Sequence, residues 1–206
     1  MSRATLLVPA LALSAAAVSC GSSAPQGFQG ATFPHPYAVS AVPATTLAAT
    51  DGRPFDLKAR LAGRTTLLYF GYTHCPDVCP TVVADEAAAL RHLPAKLRDA
   101  TQVLFVTSDP GRDTVPVLKD YLARFDSDFI GLTGTLPQIQ ALATALGDDV
   151  EVPKVVDGDY EVGHGAQVLG FGPGGTAPVA WLPGDQDQMV RQLEHDVPLL
   201  VSGHTT

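Results

Sequence analysis

The stretch that most constrains the fold is a short apolar run followed closely by two cysteines. Residues 67–70 are Leu-Leu-Tyr-Phe, a continuous apolar run typical of a strand buried within a sheet. Gly71 ends the run, and Cys75 and Cys79 follow with three residues between them. Pro76 suits the first turn of a helix, where a missing N–H costs little. The stretch therefore predicts a buried strand that leads into a helix beginning near Cys75.

The spacing of the two cysteines predicts their chemistry. In a helix that begins near Cys75, positions i and i+4 are neighbours, so the sulfurs of Cys75 and Cys79 would stand one turn apart on one face. The positive end of the helix dipole favours thiolates at that place. Two acidic thiols side by side suit a soft metal ion, a reversible disulfide, or both.

Composition narrows the classes of partner. The chain has 206 residues, of which 46% are hydrophobic, so it can bury the core of a single domain. Its formal net charge is −8, and the sequence has no basic cluster. A nucleic-acid partner is therefore disfavoured, because binding to phosphates depends on clustered lysine and arginine.

The N-terminal segment predicts export and attachment to a membrane. Residues 4–18 are apolar but too short for a comfortable membrane span. With the small residue before Cys20, they resemble a bacterial lipobox, in which this cysteine becomes the lipid-modified N-terminus. We therefore predict a lipoprotein signal peptide over 1–19, a flexible Gly/Ser/Pro-rich tether over 20–40 and a folded domain over 41–206. The alternative is an ordinary secretory signal with an incidental Cys20, and both interpretations place the mature chain outside the cytoplasm.

The location affects how the three cysteines are interpreted. If Cys20 carries lipid, the remaining two are the close pair, Cys75 and Cys79. A disulfide that closes so short a loop would add little stability, since loop-closure entropy grows with loop length. A pair at this spacing is better explained by chemistry than by stabilisation of the fold.

Strand and helix signals alternate along the rest of the chain. The predicted strands cover residues 46–50 and 54–57, joined by an Asp-Gly turn, and 65–70, 102–107, 129–132, 167–171 and 177–182. The predicted helices cover about 75–92, 114–125 (capped by Thr114), 136–146 and 185–201, and residues 152–162 are predicted as an irregular exposed connection. This order predicts an α/β layered fold with a mixed sheet. The thiols then lie at the C-terminal end of a core strand, where such sheets place their sites.

A histidine between two glycines is the candidate third ligand. His164 lies just before the strand predicted from Gln167, and the flanking glycines allow close approach of the backbone to a site. Thiolates are the preferred ligands of Cu(I), and imidazole also suits copper. Zinc would normally take a fourth ligand, and none presents itself in the sequence. On these grounds alone, a loop histidine of this kind is more often solvated than bound to a metal.

Several motifs together resemble a known family. Residues 71–80 read Gly-Tyr-Thr-His-Cys-Pro-Asp-Val-Cys-Pro, residues 108–114 contain Ser-Asp-Pro followed by Asp-Thr, and residues 131–135 read Gly-Leu-Thr-Gly-Thr. With His164, the order and spacing of these motifs across about residues 40–200 resemble the Sco/SenC family. Its members are thioredoxin-like copper proteins that help to assemble the binuclear copper site of cytochrome c oxidase.

The resemblance carries implications for fold and site. It implies a thioredoxin-like fold with a mixed central sheet, an N-terminal hairpin and flanking helices. It also implies Cys75, Cys79 and His164 as ligands of Cu(I) or Cu(II). Asp109 is a candidate supporting or partner-contact residue, and His74 is a candidate surface residue facing the partner. The family usually has an aspartate just before the histidine, whereas this chain has Gly-His-Gly, so that acidic neighbour is missing from any group that orients the ring.

Two functions from different classes remain open. The first is a copper metallochaperone that docks on the copper-binding subunit of cytochrome c oxidase and passes the ion by ligand exchange. The second is a thiol–disulfide oxidoreductase in which Cys75 and Cys79 reduce the cysteines of the oxidase copper site. A peroxidase of the peroxiredoxin type is disfavoured, because Tyr72 stands where that chemistry usually has Thr or Ser. The donor that supplies copper to the site is not identified by the sequence.

Overall fold

A computed structural model describes residues 27–156 and 159–205. The predicted signal peptide, Cys20 and the first part of the predicted tether lie outside these residues. The described strands are β1 (Ala31–Ala38), β2 (Thr46–Ala49), β3 (Pro54–Asp56), β4 (Thr65–Gly71), β5 (Thr101–Thr107), β6 (Ile130–Thr133), β7 (Lys154–Val156), β8 (Asp159–Glu161), β9 (Val168–Phe171) and β10 (Thr176–Trp181). The described helices are α1 (Leu57–Leu61), α2 (Val78–His92), α3 (Ala95–Ala100), α4 (Val115–Leu122), α5 (Leu136–Ala145) and α6 (Gln186–Val201).

Eight of the strands form one mixed sheet in the order β1-β10-β9-β4-β5-β6-β2-β3. Apolar side chains cover both faces of this sheet. Helices α2, α4 and α6 pack into the cluster on one face, while α1 and α5 pack into the cluster on the other. The predicted class, a thioredoxin-like α/β fold with a mixed central sheet, an N-terminal hairpin (β2–β3) and flanking helices, is confirmed.

The central strands determine where the site lies. All seven residues of β4 and all seven of β5 are buried, and the two strands run parallel, with Gly71 opposite Thr107. The loops that follow them therefore leave the sheet at the same edge. Strand β9 runs antiparallel to β4, with Val168 opposite Tyr69, so β9 begins at the edge where β4 ends. This topology brings the segment before β9, which contains His164, to the loop that contains the cysteines.

The predicted tether is partly wrong, because Ala31–Ala38 forms edge strand β1 against β10. Phe33 and Tyr37 pack against the core, with ring centroids 4.9 Å apart. The Gly/Ser/Pro-rich composition predicted flexibility, but an open sheet edge and two aromatic side chains are enough to order the segment. The peptide N–H groups of residues 29 and 30 also donate to the buried carboxylate of Asp196, at 2.8 and 2.9 Å.

Three short features are absent from the predicted elements, and the first is helix α1, which follows β3 directly. Helix α3 follows Pro94 directly, and β7 and β8 pair as a separate hairpin where an irregular connection was predicted. The acidic character of residues 152–162 favoured a loop, although the Asp-Gly pair at 157–158 is a hairpin signal. Thr114 occupies the N-cap of α4 as predicted, but its side chain makes no capping hydrogen bond.

Candidate metal centre

The thiol pair lies in the connection between β4 and α2. Helix α2 begins at Val78 rather than near Cys75, so Cys75 lies in the preceding loop and Cys79 in the first turn. Pro80 explains why the helix begins later than predicted. With a start at Val78, Pro80 lies in the first turn, where N–H groups have no helical partner. With a start at Cys75, it would remove a helical hydrogen bond from the second turn.

The loop nevertheless brings the two sulfurs together. The Cys79 N–H donates to Cys75 Sγ at 3.4 Å, and the Cys75 N–H donates to the Tyr72 carbonyl at 3.3 Å. Both cysteines are free; Cys75 is half-buried and Cys79 is fully buried. The Tyr69 hydroxyl donates to Cys79 Sγ at 3.4 Å. The pair therefore consists of a reachable outer sulfur and an enclosed inner one.

The backbone holds His164 at the edge of the site. The Glu151 N–H donates to the Gly163 carbonyl at 2.8 Å, and the Gly165 N–H donates to the Asp149 carbonyl at 3.2 Å. A Cβ atom on Gly163 would lie 2.8 Å from the side chain of Glu151, which would have to move aside for a larger residue. The glycines around His164 thus permit the close backbone approach that the sequence predicts.

The imidazole faces the inner sulfur. His164 Nε2 lies 3.6 Å from Cys79 Sγ, and Nδ1 lies 2.6 Å from the Gly165 carbonyl. A carbonyl only accepts, so Nδ1 carries the proton in the neutral ring and Nε2 presents its lone pair to the sulfur. The rings of Tyr69 and Tyr72 meet the imidazole nearly edge to face, with centroids 6.1 and 5.6 Å away. These contacts fix the orientation of the ring, with Nε2 facing Cys79 Sγ.

The two thiols differ sharply in acidity. A hydrogen bond from the Cys79 thiol lowers the pKa of Cys75 to about 3 against the effect of burial, with further help from His164 and two backbone N–H groups. The same hydrogen bond and burial raise the pKa of Cys79. The sequence predicts two acidic thiols, but the structure supports one thiolate and one protonated thiol, because a thiol that donates to its neighbour is harder to ionise.

The aromatic hydroxyls and the imidazole respond to the same sulfurs. Burial, reinforced by the nearby cysteines, raises the pKa of Tyr69 and raises that of Tyr72 to about 12, so both hydroxyls remain donors at neutral pH. Burial lowers the pKa of His164, but the protonated ring can donate hydrogen bonds to Cys75 and to the Gly165 carbonyl, and these raise the pKa overall.

Asp109 and His74 lie near the site in different environments. Asp109 is fully buried, accepts hydrogen bonds from Arg112 and Tyr160, and has no exposed surface for a partner. His74 is exposed, with Nδ1 3.0 Å from the Thr73 hydroxyl, and it remains a candidate for partner contact. Among residues 27–156 and 159–205, the hydrogen bonds and ion pairs of these two side chains involve neither the thiols nor the His164 ring.

Three supporting residues received no role in the sequence analysis. Asp113 is fully buried and accepts two hydrogen bonds from Thr73. Arg112 and Tyr160 pair with Asp109, as described above. The Asp-Thr motif pointed to Asp113, and the Asp-Gly hairpin signal could have placed Tyr160 on a strand. Their contacts join segments that are distant in sequence, so no local pattern predicts them.

The arrangement can be tested against the requirements of a metal ion. With zinc-like bonds of about 2.3 Å to sulfur and about 2.0 Å to nitrogen, a trigonal angle places the two ligand atoms about 3.7 Å apart. The observed separation of Cys79 Sγ and His164 Nε2, 3.6 Å, fits this requirement. Within residues 27–156 and 159–205, no three Cys, His, Asp or Glu side chains already form a closed metal-binding cluster. The pair formed by Cys79 and His164 therefore has the spacing that a bound ion requires, whereas the three side chains together do not yet form a closed site.

Solved structures resemble this chain over nearly their whole length. Apo Sco1 of Thermus thermophilus superimposes with a TM-score of 0.72 at 29% identity, covering 85% of this chain and 98% of that chain. ScoI of Bradyrhizobium japonicum, solved with copper bound, gives a TM-score of 0.64 at 30% identity, covering 81% and 98%.

Sequence comparisons agree with the structural ones. A protein of Stutzerimonas stutzeri that is named as copper-binding is 39% identical to this chain over 136 residues, which cover 66% of each chain. The matches span between 37% and 66% of the length of the first four curated relatives. The family model described as SCO1/SenC matches residues 39–195, most of this chain. The chain therefore belongs to the SCO1/SenC family.

Proposed function

We propose that this protein is a copper metallochaperone that binds copper through Cys75, Cys79 and His164. It delivers the ion to the binuclear copper site of cytochrome c oxidase, docking on the copper-binding subunit. The 3.6 Å approach of His164 Nε2 to Cys79 Sγ is the observation that carries the proposal. Copper as the cargo is supported by the copper-bound relative, and the oxidase as recipient rests on the resemblance of the motifs to the Sco/SenC family.

The difference between the two thiols defines how copper is bound. Cys75 is already a thiolate at neutral pH and is half-buried, so it receives the ion first. Cys79 must then lose its proton, and the Nε2 lone pair of His164 closes the site. Two thiolates and a neutral imidazole suit Cu(I), and the imidazole also accommodates Cu(II).

The same difference favours release to a partner. Cys75 Sγ is the reachable ligand, whereas Cys79, in the first turn of α2, is fully buried against Tyr69. A thiolate of the recipient can therefore approach from the side of Cys75 and replace it at the ion. A three-coordinate site leaves room for this incoming ligand, so the exchange needs no prior dissociation.

Anaerobic copper titration against a competing chelator tests the ligand set. Cys75→Ala, Cys79→Ala and His164→Ala are each expected to weaken copper binding by more than the about 10–100-fold that follows loss of a group that only supports a ligand. His35→Ala removes an exposed histidine on β1 and serves as the matched control, with unchanged affinity expected. A His164→Ala protein that binds copper as tightly as the parent chain would contradict the proposal.

Thiol–disulfide exchange is the second candidate, favoured by the low pKa of the half-buried Cys75. The Cys75 thiolate would attack a disulfide of the partner, form a mixed disulfide and release one partner thiolate. Cys79, after losing its proton, would attack Cys75 Sγ and release the second thiolate, so two electrons pass to the partner. However, the stabilised thiolate also stabilises the reduced pair and makes it a weak reductant, which favours copper binding as the main role.

The His164→Ala variant separates the two candidates. It is expected to lose high-affinity copper binding and to keep thiol–disulfide exchange with a small-molecule disulfide, whereas either cysteine variant loses both. Loss of exchange activity in His164→Ala would show that the imidazole serves the thiol chemistry instead.

Attachment to the outer face of the bacterial cell membrane through lipid on Cys20 is also proposed. This residue lies outside the described part of the chain, and the proposal rests on the lipobox-like sequence. Cys20→Ser is expected to move the protein from the membrane fraction to the soluble extracytoplasmic fraction. Retention in the membrane fraction would contradict lipidation at Cys20.

A further inference from the structure

The loop between β5 and α4, residues 108–114, carries two buried carboxylates that bind opposite halves of the site. Asp109 and Asp113 are both fully buried. The loop itself is fixed to β4, because the Ser108 N–H donates to the Gly71 carbonyl at 2.7 Å. The Asp113 N–H also donates to the Asp109 carbonyl at 2.9 Å, which closes the loop into one compact unit. We call residues 108–114 the bracket loop.

Asp113 holds the segment that contains the cysteines. It accepts hydrogen bonds from the Thr73 N–H at 3.0 Å and from the Thr73 hydroxyl at 2.6 Å. The Thr107 hydroxyl donates a third hydrogen bond to the Asp113 carboxylate, at 2.7 Å. Because both the backbone and the side chain of Thr73 are bound, the loop that leads to Cys75 has little freedom to move.

Asp109 holds strand β8, which leads into the segment that contains the histidine. It accepts hydrogen bonds from the Tyr160 hydroxyl at 3.2 Å and from Arg112 Nε. The Arg112 guanidinium also lies 3.8 Å from the centre of the Tyr160 ring, so the tyrosine is held by both its ring and its hydroxyl. Strand β8 ends just before the segment with His164, and within the described part of the chain β7 and β8 pair only with each other. The contact with Asp109 is therefore a main constraint on where that hairpin sits.

We propose that the bracket loop sets the spacing between the thiol pair and the imidazole, and through it the copper affinity, without touching the ion. Asp113 positions the cysteine side through Thr73, and Asp109 positions the histidine side through Tyr160 and Arg112. The inference rests on the proposed function, since it concerns the same three ligands. It assigns Thr73, Asp113, Arg112 and Tyr160 as positioning residues.

The test uses near-isosteric variants that keep the fold and remove one contact. Tyr160→Phe removes the hydroxyl that donates to Asp109, and Thr73→Val removes the hydroxyl that donates to Asp113. Thr32→Val makes the same Thr-to-Val change on exposed strand β1, and Tyr121→Phe removes a buried hydroxyl that has no hydrogen-bond partner among the described residues; both serve as controls. Each variant of the full chain is loaded with copper alone. The measurements are affinity by chelator competition, histidine coordination of Cu(II) from nitrogen hyperfine coupling, and apo-protein stability by urea unfolding.

Each bracket variant is expected to lower the copper affinity about 10-fold or more and to weaken the nitrogen coupling, while both controls behave as the parent chain. The double variant should lose less than the product of the single losses, because one displaced segment already removes the fixed spacing. Parent-like affinity in Tyr160→Phe and Thr73→Val would overturn the proposal. The proposal would also be overturned if the copper affinity fell only in proportion to the loss of apo-protein stability and the nitrogen coupling stayed unchanged. If His164→Ala left copper binding unchanged, the ligand set itself would be refuted, so the failure of this inference and the failure of the proposed function can be distinguished.

Discussion

A single hydroxyl group distinguishes the environments of the two sulfurs. Tyr69 projects from the buried strand β4 and donates to Cys79 Sγ, whereas Cys75 receives its hydrogen bonds from Cys79 and backbone N–H groups. The tyrosine bond lowers the pKa of Cys79 and so partly opposes the larger effects of Cys75 and burial. Tyr69 therefore influences how readily Cys79 loses its proton and binds a metal, although Tyr69 is not itself a proposed ligand.

Tyr69→Phe is expected to weaken copper binding at neutral pH by about threefold to tenfold, the equivalent of one hydrogen bond of about 0.5–1.5 kcal/mol. Without the donated hydrogen bond, the pKa of Cys79 rises further, so more work is needed to remove its proton. Copper competition at about pH 6 and at about pH 8 should show the loss at both values, because Cys79 is protonated in both proteins and gives up one proton when it binds the ion. Tyr121→Phe is the control, because that buried hydroxyl has no hydrogen-bond partner among the described residues. An unchanged affinity in Tyr69→Phe would refute the role of the hydroxyl.

Helix α2 carries the inner thiol at one end and a buried acid two turns further along. Cys79 and Glu86 are seven residues apart, so both face the sheet, and Glu86 is fully buried. In the described part of the chain neither carboxyl oxygen of Glu86 has a hydrogen-bond partner. Burial, with a smaller effect of Asp85, raises the pKa of Glu86 well above its usual value. The helix therefore packs against the sheet at a cost to stability.

Glu86→Leu is expected to raise the free energy of unfolding by about 1–3 kcal/mol at neutral pH, because it removes an unpaired buried polar group. The folded chain keeps a proton on Glu86 that the unfolded chain loses above pH 4.5, so parent stability falls as the pH rises beyond that value. Urea unfolding as a function of pH should show that this decline is absent in Glu86→Leu. Glu86→Gln should also remove the decline while giving a smaller gain in stability. A Leu variant that is less stable than the parent would show that Glu86 has a partner in solution.

At the scale of the whole molecule, strand β1 forms one edge of the sheet, although it lies before the predicted start of the domain at residue 41. Strand β1 pairs with β10, and the residues just before it are fixed to α6 through Asp196. The Trp181 indole N–H donates to the same carboxylate at 2.9 Å. Because β1 begins at the end of the sheet where β4 ends, the chain enters the domain on the same end as the thiols. Among residues 27–156 and 159–205, each helix is either too short or too polar to span a lipid bilayer.

Truncation tests where the folded unit begins. Removal of residues 1–26 should leave stability unchanged, whereas removal of residues 1–40 should lower the free energy of unfolding by about 2 kcal/mol, because Phe33 and Tyr37 lose buried apolar area. The shorter chain should also aggregate more readily, since β10 becomes an exposed edge. Thermal unfolding and light scattering of the two proteins provide the comparison. Equal stability would support the predicted boundary at residue 41.

Local patterns predicted much of the fold and the candidate ligands. The buried strand before Cys75, the hairpin of β2 and β3, and the alternation of strands and helices all follow from hydrophobic period and turn residues. The predicted start of α2, near Cys75, was wrong, because the helix begins at Val78. Pro80 favours the later start, since proline is tolerated only in the first turn. The bracket contacts of Asp109 and Asp113 were not predictable from local sequence, because they join segments up to 51 residues apart.

By itself, the sequence determined that two cysteines follow a buried strand and that a Gly-His-Gly segment precedes a later one, because these are properties of neighbouring residues. It also determined the layered α/β class through the order of its elements. Only the tertiary structure decided that the imidazole meets the inner sulfur, since this depends on the antiparallel pairing of β9 with β4. It also decided which cysteine is the thiolate, because burial and hydrogen-bond direction arise from packing rather than from spacing along the chain.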